Sequence, residues 1–472
     1  MHQVIFTRRI ALLLAMLLGI LVTLEFTHTT RAQTVIVYRV DQDAPGPLHD
    51  GLTWTSAYTT LQDALTQART VAPTNTLEIW VAKGVYYPDE GGGYINNDPG
   101  TNFSLINNVS LYGGFGGFGI NETTRSQRNW ATHLTVLSGD IDQNDRTDPR
   151  GIVTATASIS GSNAYHVVTA NTVQTATVDG FAITAGKANG ADFNDTLGGG
   201  MYNEGGNLML TNVTFSGNLA DRRGGGMLNA SSSNSKLVNV TFDSNSAGTG
   251  GGMANEFSTS LLINVTFISN RATFEGGGMY DYYFDNPTLI NVIFHNNTAA
   301  YGGGIANTYC IPTLINVTFH GNSADSGGGI YNYNSSPMLI NNILWDNMAS
   351  NGAQIYRDAG STIGISTINY SLVEGGCPDS STANCDAHLL TNDPQFVNAA
   401  HGDMRLQSSS PAIDAGDSDP LVTIGVATDR DGKPRFVDIP GVVDTGTGGP
   451  PFVDLGAFEV VKNVYLPLIT KQ

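Results

Sequence analysis

From residue 198 to 351 apolar and polar positions alternate in twos, and the whole pattern recurs every 25 or 26 residues. Val213 and Phe215 flank Thr214, as in a strand with one buried face. Leu210, Leu237, Leu262, Leu289, Leu314 and Leu339 occupy one column of the repeat. Phe215, Phe242, Phe267, Phe294 and Phe319 occupy another, with Leu344 in the last copy. Two asparagine columns, Asn212 to Asn341 and Asn218 to Asn347, and an alanine column complete the unit. Glycine triplets open at Gly198, Gly224, Gly250, Gly276, Gly302 and Gly327. A fixed period of this length signals a solenoid. About 25 residues at ~3.3 Å each cannot form one strand, but they can close a coil of three short strands. Stacked coils turn every column into a ladder, with asparagines hydrogen-bonding along the stack. The pattern predicts an all-β, single-stranded, right-handed parallel β-helix, the hand following from the crossover rule.

Departures from the repeat are informative. Val178 to Ala188 reads as an earlier, degenerate coil, followed by a longer loop around residues 192–195 that should protrude. Asn342 interrupts the inward valine column, so the last coil is expected to deviate. Residues 52–68 hold the mature chain's one helical pattern, with Leu61, Leu65 and Ala68 on one face. A short amphipathic helix there suits a cap over the first coil.

At the N-terminus Arg8 and Arg9 precede a 15-residue apolar run, Ile10 to Leu24, and then Thr30-Arg31-Ala32. This reads as a secretory signal peptide cut after Ala32. The run is short of the ~20 residues of a spanning helix, and no later run is long enough to cross a membrane. The expected organisation is a signal peptide (1–32), a cap with irregular coils (33–170), regular coils (171–375), a C-terminal module (376–460) and a tail (461–472).

Composition narrows the function. Of 472 residues, 22 are Lys or Arg and 41 are Asp or Glu, a formal charge of −19. That balance excludes a nucleic-acid binder, which needs basic patches. Cys377 and Cys385 bracket a short loop and suit a disulfide in an oxidising compartment. Cys310 is left as a buried small side chain.

Several motifs carry a family resemblance. The opening WTSAYxxLQDAL and the strand VAKGVY resemble the start of secreted proteins of the pectin-lyase-like β-helix superfamily. The GGGM and FxxN elements resemble the repeats of chlamydial polymorphic outer-membrane proteins, with Gly in place of their usual third-position Ala. DPQFVNAAHGDMRLQSSSPAIDAGD, DRDGKPR and VDLGAFE resemble a choice-of-anchor module. The resemblance implies export and a β-helix, but no one reaction, because such scaffolds host many functions. It also implies a C-terminal membrane barrel, for which the residues after Glu459 leave no room. The tail is expected to be an attachment signal or a last strand.

Candidate sites follow from the stacking. Phe257, Tyr282, Tyr283, Tyr309 and Tyr333 fall in adjacent columns and should form an outer aromatic stripe, a surface on which sugar faces stack. Glu256, Asp281 and Asp285 lie in the same zone, and paired carboxylates at such spacings can serve glycoside hydrolysis. The basic residues Arg222, Arg223, Lys236 and Arg271 share no column with the acids, which weighs against a lyase. Asp140, Asp142, Asn144 and Asp148 match positions 1, 3, 5 and 9 of a calcium loop, although Asp145 and Gly151 replace its Gly and Glu. Calcium is the one cofactor suggested. The acids between Asp414 and Asp431 form a second candidate cluster. His295 and His320 share an outward column and read as incidental. The expectation is a secreted or cell-surface, non-catalytic module that binds extracellular polysaccharide. The alternatives are a polysaccharide lyase or glycoside hydrolase, and an adhesin that binds a surface protein. Oligomeric state and outer-membrane association stay open.

Overall fold

The computed structural model describes residues 35–72 and 75–461. The expected signal peptide (1–32), and the tail beyond Val461, lie outside them. Each regular coil contributes one strand to each of three long sheets, all of them parallel. Met209–Thr211, Thr214–Ser216 and Met227–Ala230 show the path of one turn. The sheets hold 12, 10 and 9 strands. A fourth edge, which includes Leu219–Arg223 and Arg271–Glu275, fills the corner before each glycine triplet. The fold is a parallel β-helix in which equivalent residues of successive repeats pair in register, Leu210 with Leu237 and Phe215 with Phe242.

The inward columns account for that register. Phe215, Phe242, Phe267, Phe294 and Phe319 stack with centroids 4.7–4.9 Å apart and rings within 5° of parallel. A slip by one residue would turn each ring to solvent. Asn218, Asn245, Asn270, Asn297, Asn322 and Asn347 form a buried amide ladder, each Nδ2 donating to the next Oδ1 at 2.8–3.0 Å. Each of these Oδ1 atoms also accepts the backbone N–H of the asparagine one coil earlier, as from Asn245 to Asn270. The first glycine of each triplet is left-handed, with φ of 60–68°. The second admits no side chain: a Cβ on Gly251 would lie 2.4 Å from the Arg271 carbonyl oxygen.

Two expectations change. The helix begins at Leu61 rather than near residue 52 and runs to Val71, because Thr60 caps it by accepting from the Asp63 N–H. It buries Leu61, Ala64, Leu65 and Ala68 over the first coil. Asn342 does not disturb its coil: Ile343–Trp345 keeps register with Thr318–His320. Its amide donates to the Leu314 carbonyl and accepts from the Val317 N–H, so a polar side chain fits the valine column. Residues 192–195 do protrude, leaving Phe193 56% exposed.

The C-terminal segment folds back along the coils. Phe396, Met404, Leu406, Ile413, Leu455 and Phe458 cover the outward Ile293, Ile343 and Leu372. The motif residues become its internal braces. Arg435, fully buried, donates to Asn291 Oδ1 at 2.8 Å and to the Gly456 carbonyl at 2.6 Å, and pairs with Glu459 at 3.3 Å. Asp429 accepts from the Asp431, Lys433 and Glu459 amides. His295 and His320, expected to face outward to solvent, are instead buried under this segment, with His320 edge-on to Phe396. Cys377 and Cys385 are disulfide-bonded, and Cys310 is free and buried. Among the described residues no helix is long and apolar enough to cross a membrane.

Candidate functional site

The third sheet turns one face outward, and a trough runs along it. Alternation decides what lines it. Met279 and Asp281 point in, so Tyr280 and Tyr282 point out; Ile330 and Asn332 point in, so Tyr331 and Tyr333 point out. One wall comes from the residue before each triplet: Arg223, Thr249, Glu275 and Tyr301. The trough between Arg223, Glu275, Tyr280, Tyr282, Tyr331 and Tyr333 has a volume of about 470 Å³. A second hollow of about 620 Å³ shares Arg223 and Thr249 with it and reaches Phe193 and Phe274. These two phenyl groups are 56% and 60% exposed.

Tyr282 and Tyr333, which line the trough, belong to the aromatic stripe. Phe257 meets Tyr283 at 5.6 Å between centroids, Tyr283 meets Tyr282 at 4.4 Å and Tyr309 at 5.0 Å, and Tyr309 meets Tyr333 at 5.5 Å. The five rings therefore form one contiguous surface, extended by Phe284, which is 74% exposed. Phe257, Tyr283 and Tyr309 hold φ of 52–59°. Gly205 and Asn334 take the same turn position in flanking coils, with φ of 66° and 49°. A bulky residue there is an outlier that costs on the order of 1 kcal/mol, and such strain clusters at binding sites.

The charged groups are arranged differently from the expectation. Arg223 forms a 2.6 Å ion pair with Glu256, and its guanidinium lies 5.4 Å from the Tyr282 ring centre. A basic side chain thus does join the acids. It comes from the corner edge, which column alignment around the triplet alone does not bring to the same face. Burial raises the Glu275 carboxyl, against the lowering influence of the Tyr280 hydroxyl and of Arg223.

Asp281 and Asp285 are not in the trough. Both are fully buried inside the coil, out of reach of a substrate in solvent. Asp281 takes an amide-ladder position and accepts from Asn255 at 2.8 Å. Asp285 takes the turn position of Ser258 and Cys310 and accepts from the Ser258 and Tyr282 backbone amides. Only Glu256 of the three acids reaches the surface. Sequence reasoning missed Glu275, Tyr280 and Tyr331, and it set Arg223 apart from the acids. Their signal was available: one residue before each triplet, and one after each Met or Ile.

The first calcium-loop candidate is engaged internally. Asp140 accepts from the Asn144 and Asp145 amides. Asp142 accepts from the Asn144 side chain and the Ser162 amide, leaving Oδ1 without a partner. Asp148 pairs with Arg150 and accepts from the Ile152 amide. These groups cap local turns.

Residues 316–333 match the Chlamydia polymorphic membrane protein repeat. No curated protein matches the chain in sequence. Among solved structures, the chain is similar to the pectate lyase Pel9A, at 12% identity and a TM-score of 0.39, over 91% of this chain and 97% of that one. A rhamnogalacturonan lyase aligns at 10% identity and a TM-score of 0.39, over 82% and 98%. A pectin methylesterase mutant in complex with a hexasaccharide aligns at 12% identity and a TM-score of 0.32, over 78% and 98%.

Proposed function

We propose that this protein is an exported, cell-surface carbohydrate-binding module that holds an extended polysaccharide along the aromatic trough without cleaving it. The observation that carries the reading is the contiguous ring surface from Phe257 to Tyr333, kept at three left-handed positions that disfavour aromatic residues. A repeating sugar chain matches a repeating surface, and its flat apolar faces suit exposed rings. Arg223, Glu256 and Glu275 supply hydrogen-bonding groups for hydroxyls. Burial of Asp281 and Asp285, and the ion pair that occupies Glu256, favour binding over hydrolysis. The signal-peptide pattern at residues 1–32 supports export.

The test is affinity electrophoresis of the full-length protein against soluble neutral and acidic polysaccharides, with an assay for new reducing or unsaturated ends. A sugar covering roughly 60 Å² of ring at about 25 cal/mol per Å² contributes about 1.5 kcal/mol, a little over tenfold in affinity. Tyr282→Ala and Tyr283→Ala should each weaken retardation by about that factor without changing the fold. New ends would overturn the non-catalytic reading and direct attention to Glu256 and Glu275. A folded protein with neither retardation nor products would remove carbohydrate as the ligand and leave protein adhesion.

A further inference from the structure

Asp414 lies in the C-terminal segment, far along the chain from the aromatic trough, and the proposed function does not use it. Its side chain is fully buried, and neither carboxylate oxygen has a hydrogen-bond partner. The nearby Ile439 N–H influences the carboxyl but does not complete a hydrogen bond. An unpaired carboxylate in that environment is expensive, and native proteins pair such groups or place a cation beside them. Asp414 differs in this from Asp429 and Asp454, whose oxygens all face backbone amides.

Two further carboxylates converge on the same point. Asp414, Asp438 and Asp444 each offer an oxygen, and these oxygens lie within 4.8 Å of one another. The backbone holds them there. Thr445 and Gly446 each donate an N–H to the Asp414 carbonyl at 3.0 Å, which fixes the chain that carries Asp444 beside Asp414. Asp414 itself has a φ of 51°, a left-handed conformation that sets where its carboxylate points. Asp438 and Asp444 are exposed, so the cluster opens to solvent on one side.

We propose that Asp414, Asp438 and Asp444 form a calcium-binding site in the C-terminal segment. Three hard oxygen donors, with no nitrogen or sulfur among them, select Ca²⁺, Mg²⁺ or Mn²⁺ over transition metals that prefer imidazole or thiolate. Oxygens that ligate calcium at 2.3–2.6 Å stand up to about 5 Å apart across the ion, which accommodates this cluster. Solvent on the open side can complete the six to eight ligands that calcium takes. Without a cation, burial raises the Asp414 carboxyl to about 6, and Asp444 and Asp438 add repulsion. A divalent ion would relieve both effects. It would also clamp the 438–446 loop to Asp414, and so to the segment that packs over the coils.

The test is isothermal titration of chelator-treated full-length protein with Ca²⁺ alone, alongside thermal unfolding with and without Ca²⁺. One bound ion and a raised melting temperature are expected. Asp438→Asn and Asp444→Asn alter exposed residues and should leave the protein folded while weakening binding at least tenfold each. Asp142→Asn, in the other acidic loop, should leave binding unchanged. Asp414→Asn should abolish binding, but its folding is less secure, so the decision rests on the exposed pair. Absence of calcium binding by the folded wild-type protein would overturn the proposal. So would a double Asp438→Asn, Asp444→Asn variant that binds within twofold of wild type, or binding lost on Asp142→Asn.

Discussion

Asp281 stands where neighbouring coils place Asn203, Asn229, Asn255, Asn307 and Asn332, and the exchange interrupts an amide ladder. Asn203 donates to Asn229 at 2.7 Å, Asn229 to Asn255 at 3.1 Å and Asn255 to Asp281 at 2.8 Å. Asn307 then donates to Asn332 at 2.9 Å. Between these two runs, Asp281 Oδ2 and Asn307 Oδ1 are both buried without a partner. An ionised Asp281 has no proton to give, whereas a neutral one does. Burial raises its carboxyl from 3.8 to about 7, against the Asn255 hydrogen bond, so the folded protein favours the neutral form. Asp285 is raised to about 8, by burial first and by Asp281 second. Cys310 is raised in the same place, by burial and by these two acids.

The sign follows from linkage. A carboxyl whose folded pKa is raised holds more protons folded than unfolded, so its contribution is whole below 3.8 and is lost as pH rises through about 7. At 1.36 kcal/mol per unit, a shift of about three units amounts to roughly 4 kcal/mol once pH is well above 7. Asp281→Asn keeps the shape, removes the titration and supplies a permanent donor toward Asn307. It should also lower the Asp285 carboxyl by removing a neighbouring charge. Urea unfolding at pH 5, 7 and 9 decides the matter. At pH 5, already above 3.8, the variant should lead wild type by only about 1.6 kcal/mol, and by pH 9 that lead should widen to roughly 4 kcal/mol. A variant less stable than wild type at pH 9, or one with the same pH slope, would refute the reasoning.

Two further substitutions probe the architecture. Gly251→Ala would drive a Cβ to 2.4 Å from the Arg271 carbonyl and 2.5 Å from the Gly277 carbonyl; coils cannot separate without losing ladder bonds, so circular dichroism should show destabilisation of roughly 2 kcal/mol or more, and wild-type melting would contradict it. Arg435→Met leaves Glu459 and Asn291 without their buried partner, a loss of about 3–5 kcal/mol; limited proteolysis should then cut residues 394–461 while the coils persist, and unchanged resistance would show that the segment does not depend on this anchor.

The repeat was legible because a solenoid repeats its environment: each column meets itself one coil above, so Phe267 and Asn270 face the same packing problem as Phe242 and Asn245. Period, inward columns, left-handed glycines and the aromatic stripe could therefore be read from residue order. The sequence also marked the acids and the arginine of the C-terminal motifs, without indicating their use. What lies between unlike segments was settled by tertiary structure. Arg223 keeps its column at the corner edge, and its long side chain reaches across to Glu256 of the next coil, a contact that column alignment does not contain. Asp281 and Asp285 share the surface stripe's stretch of sequence but point inward: alternation after Met279 turns Asp281 into the coil, and Asp285, past the left-handed turn at Tyr283 and Phe284, accepts buried backbone amides. His295 and His320 are outward by column and still buried, because residues some 75 to 110 positions later fold over them. Asp414, Asp438 and Asp444 converge through backbone bonds in an irregular loop, where no period exists to reveal them. Local spacing determines what repeats; contacts between segments of different pattern are decided only when the chain closes on itself.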